Sequence, residues 1–478
     1  MRIVIAGGGT GGHVYPGIAV ADALKRRRPD VEIVFVGTRR GVESRIVPRH
    51  GYELRTIPAR GLLGSGLFGK ITGLAVLAAG FVRSYLILRR LKPGAVLATG
   101  GFVSAPAGLA ARVLGIPLVV QEQNSVPGAT NRLLANFAAE VHLNFAAARM
   151  HLRRKDNLRL TGNPLRSTVG SGNRILSLEH FGLDPNRRTV FVFGGSRGAA
   201  TINVATAEAA RELDSRSDVQ FIIQTGKPDY QEMREKLSGL KLPLAVRPYL
   251  MQIEEAYAAA DLIVCRSGAM TLSEVVVCGL PSVLIPYPHA AQDHQVKNAQ
   301  EMVEAGAAEM ILDGELTGAK LARVIVSLLQ NPRRLREMSS NAFRMARFDA
   351  SEKLASSLER LAEAREKAPA ADEAQPPAPA PLPPRGAPPR GEGGRRDDAH
   401  RKRRGRRGGA RRGAREGSEA RGADRGRSDR GGEDRGGEPG RADRGGESGR
   451  FDRGGARSGA PENHIAARVA LGSAGLAR

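Results

Sequence analysis

The chain has 478 residues, a formal net charge of +24 and two cysteines. Its length predicts two or three domains, and its positive charge favours anionic partners such as nucleotides, phosphates, nucleic acid or an anionic membrane surface. Cys265 and Cys278 form no C-x-x-C pair, which argues against a zinc site or a disulfide framework. The chain starts directly with a strand pattern and has no apolar run of transmembrane length, so we expect a cytosolic protein without a signal peptide that can still attach to a membrane face.

The first element is a strand followed by a glycine-rich turn. An apolar run over residues 2–6 leads into Gly7-Gly-Gly-Thr-Gly-Gly-His13, and apolar residues then recur at helical spacing over 14–28. This layout directs backbone N–H groups and a helix N-terminus towards an anion. The turn also matches the dinucleotide fingerprint G-x-G-x-x-G. However, the second strand, 31–36, ends in Gly37-Thr38 instead of an acidic residue that would hold a ribose, so a nicotinamide cofactor is disfavoured.

Strand and helix patterns alternate up to about residue 366, which predicts parallel sheets covered by helices. A second glycine turn, Thr99-Gly-Gly-Phe-Val-Ser104, repeats the first design. The polar run Gln121-Glu-Gln-Asn124 directly follows an apolar strand, and such residues suit a cleft better than a core. In this first half we predict strands at 2–6, 31–36, 95–99, 117–121 and 139–143, and helices at about 14–28, 41–50, 71–91, 104–114 and 129–137.

A break near Thr161-Gly-Asn-Pro-Leu-Arg166 and the polar run to about residue 188 indicate a linker. A second α/β unit then starts with an apolar strand and Gly194-Gly-Ser-Arg-Gly198. We expect a ligand in the cleft between the strand C-terminal ends of the two units. In this half we predict strands at 190–193, 219–224, 262–265 and 282–285, and helices near 199–213, 253–260, 269–278, 292–305, 317–328, 333–346 and 351–366.

Three segments of the second unit have candidate binding residues. In Arg266–Glu274, which opens a helix, the N–H groups of the first turn suit a phosphate, and Glu274 either accepts hydrogen bonds from a ribose diol or favours the positive end of the helix. Ser196 either contacts a phosphate or caps its helix. The polar segment 286–295 follows a buried strand and fits either sugar hydroxyl contacts or an ordinary helix entry.

His13 is the candidate acid/base residue. Imidazolium is disfavoured at a helix N-terminus, so we expect a neutral side chain that can accept a proton; the alternative is a histidine that only hydrogen-bonds the loop. Up to residue 366 the chain has no carboxylate cluster of metal-ligand spacing, so we predict no essential metal. Residues 61–91 combine apolar side chains with bases, which fits either the edge of an anionic bilayer or a core helix with a basic end.

From about Lys367 the chain consists of Pro, Ala, Gly, Arg, Asp and Glu with almost no large apolar residues, and such a segment is expected to be disordered. Repeats such as Asp424-Arg-Gly426 and Asp434-Arg-Gly-Gly-Glu438 resemble RGG segments that bind RNA. Acids are interleaved with the bases and Phe451 is the one aromatic residue, so stacking on bases is poor. We therefore disfavour nucleic acid binding and interpret the tail as a solvated or membrane-facing tether.

Seven motifs together resemble one family. They are GGTGGHVYPG, GGFVSAP, QEQN, TGNPLR, GGSRGA, RSGAMTLSE and HQVKNA. Their order and spacing are similar to those of the MurG family of bacterial N-acetylglucosaminyltransferases, which convert lipid I to lipid II in peptidoglycan synthesis. The resemblance covers about residues 1–366 and leaves the tail uncovered.

The resemblance implies a GT-B fold, in which two Rossmann-like domains have parallel sheets that face a central cleft. It implies an N-terminal acceptor and membrane-binding domain at 1–162, to which residues 341–366 return. A UDP-sugar-binding domain would span 163–340, followed by a disordered Arg/Gly/Pro-rich tail at 367–478.

The resemblance also implies a reaction, which is inverting transfer of N-acetylglucosamine from UDP-N-acetylglucosamine to the 4-hydroxyl of the muramyl sugar of undecaprenyl-linked lipid I. The enzyme would act without a cofactor as a peripheral protein at the anionic cytoplasmic face of the inner membrane. His13 resembles the candidate base, Leu250 would meet the uracil through its backbone, and Glu274 would hold the ribose. The implied donor-binding positions are Thr10, Gly11, Gly12, Asn124, Arg166, Ser196, Leu250, Ala269, Met270, Thr271, Leu272, Ser273, Glu274 and Gln295.

Two positions depart from the family pattern. Arg197 stands where the family usually has Gln, which adds a positive charge near the diphosphate, and His294 stands where some relatives have Gln. Three other functions stay open on the sequence: another UDP-sugar-dependent GT-B transferase, a Rossmann oxidoreductase, and an RNA-binding interaction protein acting through the tail.

Overall fold

The computed structural model describes residues 1–60, 67–195 and 198–367, with the backbone alone for 67–71. The predictions made for Ser196, Arg197 and the tail from residue 368 onward lie outside the described residues. The described residues belong to one compact unit and contain two parallel sheets.

The first sheet forms from apolar runs such as Ile3-Val4-Ile5, whose side chains are fully buried, as expected for parallel strands covered on both faces. Its seven strands are β1 Arg2–Gly7, β2 Glu32–Gly37, β3 Glu53–Thr56, β4 Ala95–Gly100, β5 Leu118–Glu122, β6 Glu140–Leu143 and β7 Leu158–Leu160. Their order in the sheet is β3-β2-β1-β4-β5-β6-β7. The helices of this part are α1 Gly11–Arg27, α2 Glu43–Arg49, α3 Leu67–Leu91, α4 Ser104–Val113 and α5 Ala129–Ala135, with a 3₁₀ helix at Ala146–His151.

The second sheet has six parallel strands, which are β8 Arg188–Phe193, β9 Val219–Gln224, β10 Leu244–Arg247, β11 Leu262–Cys265, β12 Ser282–Leu284 and β13 Ala308–Met310. Their order is β10-β9-β8-β11-β12-β13. The accompanying helices are α6 Arg174–Phe181, α7 Ala200–Glu212, α8 Tyr230–Lys236, α9 Ile253–Ala259, α10 Ala269–Val277, α11 His294–Glu304, α12 Gly318–Leu329 and α13 Pro332–Met345, with 3₁₀ helices at Ala291–Asp293 and Asp313–Glu315.

The last described helix, α14 Ala350–Lys367, packs against α1. Its Leu354 and Leu358 are fully buried in one cluster with Ile3 of β1 and Leu24 of α1. We call the first sheet with α1–α5 and α14 the first lobe, and the second sheet with α6–α13 the second lobe. The domain boundary at 162/163 stays a prediction.

The two parallel sheets confirm the predicted α/β class, and most elements lie within a few residues of their predicted bounds. The linker interpretation of residues 164–188 is wrong in part, because α6 occupies Arg174–Phe181. Asn173 caps this helix by accepting hydrogen bonds from the N–H groups of Ile175 and Leu176. Buried Leu178 and Phe181 attach the helix to the core of the second lobe. The pattern also missed α8 and four short strands, β3, β7, β10 and β13.

Candidate functional site

A cavity of about 190 Å³ lies between the two lobes. In the first lobe Gly11, Gly12 and Tyr15, all from the first turns of α1, line it. Arg166, from the segment that joins the lobes, also lines it. The second lobe contributes residues that end β9, follow β8 or β10, or lie on α10, among them Gly195, Gln224, Leu250, Met270, Thr271 and Glu274.

A second cavity, of about 460 Å³, adjoins the first. Gly195 and Thr271 line both cavities. Arg266, Tyr287 and Gln295 line the second cavity alone. Both cavities therefore lie outside the carboxyl ends of the second sheet's strands, where open α/β sheets bind their ligands.

The two glycine turns of the first lobe pack on each other around His13. The Thr99 hydroxyl donates to the His13 carbonyl at 2.7 Å. Gly100 has a φ of +107°, and a Cβ built on it would lie 2.9 Å from Cδ2 of His13. A glycine is therefore required where the second turn meets the imidazole.

The His13 side chain is held by the first turn itself. Its Nδ1 lies 3.2 Å from the Gly8 carbonyl oxygen and 3.2 Å from Oγ1 of Thr10, and Thr10 also precedes the first residue of α1. Burial lowers the pKa of His13, while the Gly8 hydrogen bond and the Glu43 charge raise it and His294 lowers it further. The net shift is downward, which favours the neutral imidazole at pH 7; the role of His13 as a proton acceptor stays a prediction.

The N-terminus of α10 faces both cavities. The first backbone hydrogen bond of the helix runs from the Leu272 N–H to the Gly268 carbonyl at 3.0 Å. The N–H groups of Ala269, Met270 and Thr271 come before it and have no acceptor within their own helix. Since Met270 and Thr271 line the cavities, the positive end of the helix dipole is available to an anion there.

Three of the predicted donor positions on α10, Ala269, Leu272 and Ser273, line neither cavity, and Ala269 is buried in the core of the second lobe. The Leu272 side chain is buried in the core of the second lobe. The Ser273 hydroxyl donates to the Ala269 carbonyl at 2.9 Å and accepts from Nδ2 of Asn163 at 2.9 Å. Both side chains follow helical periodicity, which directs consecutive residues to different faces.

Glu274 lies in the wall of the first cavity. The Tyr257 hydroxyl donates to its Oε2 at 2.9 Å. Burial raises the pKa of Glu274, while the Tyr257 hydrogen bond and Arg166 lower it. Arg166 itself lies over the Tyr15 ring, 5.7 Å from its centroid, so residues of both lobes surround this carboxylate.

Leu250 and the glycine turn after β8 are joined by one side chain, that of Gln224. Its Oε1 accepts from the Leu250 N–H at 2.9 Å, and its Nε2 donates to the Gly195 carbonyl at 3.1 Å. The Leu250 N–H is therefore already paired. Among the described residues no N–H or O–H group donates a hydrogen bond to the Leu250 carbonyl. This oxygen is therefore the backbone group that a nucleobase could contact.

Asn124 and Gln295 take different positions. Asn124 lines neither cavity; its Oδ1 accepts from Nδ2 of Asn298 in the second lobe at 3.2 Å. Gln295 lines the second cavity, and its Oε1 accepts from the Tyr287 N–H at 3.0 Å. Ser196 falls outside the described residues, although its neighbour Gly195 lines both cavities.

The sequence analysis missed Tyr15, Gln224 and Glu43. Gln224 ends β9 directly after the apolar run Phe221-Ile222-Ile223, and a polar residue after an apolar run is the same signal that indicated Gln121–Asn124. Tyr15 lies on the face of α1 next to the glycine turn, which its spacing from Gly11 could have indicated. Glu43 gave no signal in the sequence, because its contact with the first glycine turn joins residues 34 positions apart.

The chain matches the glycosyltransferase family 28 N-terminal domain over residues 3–143 and the C-terminal domain of the same family over residues 189–360. It is 42% identical over 356 residues to a UDP-N-acetylglucosamine–N-acetylmuramyl-(pentapeptide) pyrophosphoryl-undecaprenol N-acetylglucosamine transferase of Myxococcus xanthus, covering 74% of this chain and 91% of the relative. The enzyme of the same name from Moorella thermoacetica is 41% identical over 353 residues, with 73% and 95% covered.

Solved structures of other proteins have the same fold as this chain. MurG of Acinetobacter baumannii superposes with a TM-score of 0.62 at 27% identity, covering 75% of this chain and 99% of the other. A UDP-GlcNAc 2-epimerase of Neisseria meningitidis bound to UDP-GlcNAc has a TM-score of 0.54 at 13% identity, covering 75% and 100%, and shows a shared fold alone.

The two facing parallel-sheet lobes define a GT-B protein, which confirms the predicted architecture. The chain belongs to glycosyltransferase family 28 and, within it, to the MurG family of N-acetylglucosamine transferases, which confirms the resemblance drawn from its motifs.

Proposed function

We infer that this enzyme transfers N-acetylglucosamine from UDP-N-acetylglucosamine to the 4-hydroxyl of the N-acetylmuramyl sugar of undecaprenyl-linked lipid I, with inversion, to give lipid II. The observation that carries the proposal is the cavity shared by the glycine turn of the first lobe and the open N-terminus of α10. The names of the curated relatives support the choice of donor and acceptor.

The second lobe supplies groups for each part of the donor. The Leu250 carbonyl can accept the N3–H of uracil, and the Glu274 carboxylate can accept hydrogen bonds from the ribose diol. The N–H groups at the start of α10 and the Arg166 guanidinium favour the diphosphate by charge. Gln295 in the adjoining cavity provides a polar side chain for the sugar.

In the reaction, His13 takes the proton of the acceptor hydroxyl while that oxygen attacks the anomeric carbon. The bond from this carbon to the diphosphate oxygen breaks, and UDP leaves with the electron pair. The helix N-terminus and Arg166 stabilise the charge that develops on UDP. Closure of the lobes aligns the two substrates and excludes water. These steps involve no cofactor and no metal ion, and an assay in the presence of EDTA checks that no metal is needed.

The first lobe also carries a face suited to the cytoplasmic membrane surface. Val82 and Leu86 of α3 are 55% and 52% exposed, and exposed Arg83, Arg89 and Arg90 lie on the same helix. Apolar side chains next to positively charged arginines favour the interface of an anionic bilayer. None of the described helices is long and apolar enough to cross a membrane. We propose peripheral attachment through this face, with the basic tail as a further tether.

The deciding experiment measures transfer of labelled sugar from UDP-N-acetylglucosamine to a lipid I analogue, with UDP-N-acetylgalactosamine as the control donor. We expect transfer from the first donor alone and a β-linked product. Transfer to other acceptors but not to lipid I would instead indicate a different UDP-sugar-dependent GT-B transferase. Deleting residues 368–478 and measuring both vesicle binding and RNA retention decides between a membrane tether and an RNA-binding tail.

A further inference from the structure

Glu43 lies beneath the first glycine turn and has no part in the mechanism above. Its side chain is fully buried. Its Oε1 accepts from the Thr38 N–H at 2.8 Å and the Thr38 hydroxyl at 2.7 Å, and its Oε2 accepts from the Gly9 N–H at 2.9 Å. Three donors offset the cost of burying this carboxylate.

The surrounding turns leave room for this carboxylate and little else. A Cβ built on Gly8 would lie 2.6 Å from the carboxyl carbon of Glu43, and one built on Gly37 would lie 2.5 Å from its Cγ. Both glycines have to lack a side chain because Glu43 fills the space. The turn that begins α1 is therefore assembled around a negative charge.

The charge reaches His13 through a single peptide group. The N–H of Gly9, which donates to Glu43, and the C=O of Gly8, which meets Nδ1 of His13 at 3.2 Å, belong to the same peptide unit. Resonance couples the two ends of a peptide, and successive hydrogen bonds polarise one another. A carboxylate at the N–H end thus makes the carbonyl oxygen more negative and a stronger acceptor.

This arrangement selects one tautomer of the imidazole. A carbonyl oxygen can only accept, so the bond to Gly8 requires the proton on Nδ1. In the neutral ring Nε2 then has the lone pair. Among the described residues Nε2 makes no hydrogen bond, and it is the nitrogen left to receive a proton.

We propose that Glu43 is a positioning residue for the transfer reaction, which acts through the Gly8–Gly9 peptide to hold His13 as the Nδ1–H tautomer and to stabilise the imidazolium that forms when Nε2 takes the acceptor's proton. The proposal rests on the proposed role of His13 as the base. The proton of the 4-hydroxyl passes to Nε2, Nδ1 keeps its own proton, and UDP leaves with the electrons of the broken bond.

Two titratable groups act on His13 in the described structure. Glu43, on α2, raises the pKa of His13, and His294, at the start of α11, lowers it. Without the Glu43 charge, burial and His294 still lower the pKa of His13, and no nearby anion raises it. The pKa of His13 is then expected to fall, and Nε2 becomes a weaker base.

The first measurement is made on the wild-type protein without substrate, and it needs a variant only to assign the signal. Long-range ¹H–¹⁵N NMR of the full chain, labelled with ¹⁵N-histidine, reports which ring nitrogen carries the proton, and the spectrum of His13→Asn assigns the signal. At neutral pH we expect a protonated Nδ1 and an unprotonated Nε2. A proton on Nε2 of the neutral ring overturns the proposal.

The second measurement compares two variants. Glu43→Gln removes the charge at nearly constant size, whereas Thr38→Val removes one hydrogen bond to the same carboxylate and leaves the charge. We expect Glu43→Gln to move the His13 titration to lower pH and to reduce kcat about tenfold, with the donor KM within about threefold. Thr38→Val leaves the titration in place. An unchanged titration in Glu43→Gln reduces Glu43 to a structural support and overturns the proposal.

The two proposals fail in different ways. If His13→Ala retains turnover, the base assignment fails, but the NMR titrations still report whether Glu43 controls the imidazole. If His13→Ala is inactive and Glu43→Gln leaves the titration unchanged, the base assignment stands and the role of Glu43 falls. Should Glu43→Gln not fold, the tautomer of the wild-type protein decides.

Discussion

Each lobe has a glycine turn at the end of its first strand, β1 or β8, but different side chains hydrogen-bond to the two turns. In the first lobe the Glu43 carboxylate accepts the Gly9 N–H at 2.9 Å. In the second lobe the neutral amide of Gln224 donates to the Gly195 carbonyl at 3.1 Å. The sequence layout is the same, strand followed by glycine turn followed by helix, yet one support is charged and the other is not.

The difference matches what each turn has to stabilise. Next to the proposed base, a buried negative charge favours the imidazolium formed during transfer. Next to the proposed diphosphate site, the same charge would repel the ligand, since Coulomb energies are large at short range away from bulk water. A neutral amide supports the second turn without this repulsion. The two glycine turns have the same backbone layout and differ in the charge of the side chain that hydrogen-bonds to them.

The largest expected effect comes from removing the proposed base of the first turn. His13→Ala should lower kcat about a hundredfold or more, as expected for the loss of a general base, and leave the donor KM within a few-fold. Steady-state kinetics with a lipid I analogue measure both constants. His151→Ala, at an exposed histidine that ends the 3₁₀ helix Ala146–His151 and lines neither cavity, is the matched control and should behave like wild type.

Replacing the neutral amide of Gln224 by a carboxylate is the next test. Gln224→Glu should raise the KM for UDP-N-acetylglucosamine about thirtyfold, through repulsion of the diphosphate and loss of the donor to Gly195. Gln224→Met loses both hydrogen bonds without adding charge and should raise KM less. Equal KM values for the two variants would mean that a charge at residue 224 does not weaken binding of the sugar nucleotide.

Glu274 tests whether the cavity between the lobes binds the ribose. Glu274→Gln should raise the donor KM about tenfold, since hydrogen bonds to a charged group contribute roughly 1.5–3 kcal/mol. The penalty should shrink when the donor is the 2′-deoxyuridine analogue. Tyr257→Phe removes the competing hydroxyl and should change KM little. An equal increase in KM for both sugar nucleotides would mean that Glu274 does not contact the ribose diol.

The membrane face should give a smaller effect. Leu86→Gln on α3 reduces the apolar area that can enter a bilayer interface, and we expect binding to anionic vesicles to weaken a few-fold. Turnover of a water-soluble acceptor should not change. Vesicle co-sedimentation at two salt concentrations measures the change, and Arg90→Gln separates the electrostatic part.

The smallest effect is expected from pH in the neutral range. Burial lowers the pKa of His13 below its ordinary value of 6.5, so the base is already unprotonated at pH 7, and kcat should vary little between pH 7 and 8. Turnover should decrease only as pH falls through the lowered pKa, because protonation then removes the base. A kcat that halves near pH 7 would point to a group other than His13.

The sequence predicted the backbone of the site better than its side chains. Apolar runs followed by glycines located both turns and the start of α10, since these signals lie within a few adjacent residues. The roles of Gln224 and Glu43 could not be predicted, because they depend on the contacts of Gln224 with Leu250 and of Glu43 with Gly9, which lie 26 and 34 residues away in the chain. Short strands such as β3 and β7 were missed for the same reason, since pairing in the sheet, and not a local apolar run, defines them.

We propose that one cavity, formed by the first turn of α1 and the N-terminus of α10, binds the sugar nucleotide. A crystal structure with UDP-N-acetylglucosamine tests it most directly. We expect uracil at the Leu250 carbonyl, the diphosphate at the N–H groups of Met270 and Thr271, and the anomeric carbon turned towards His13. A nucleotide bound without contact to α10 would contradict it.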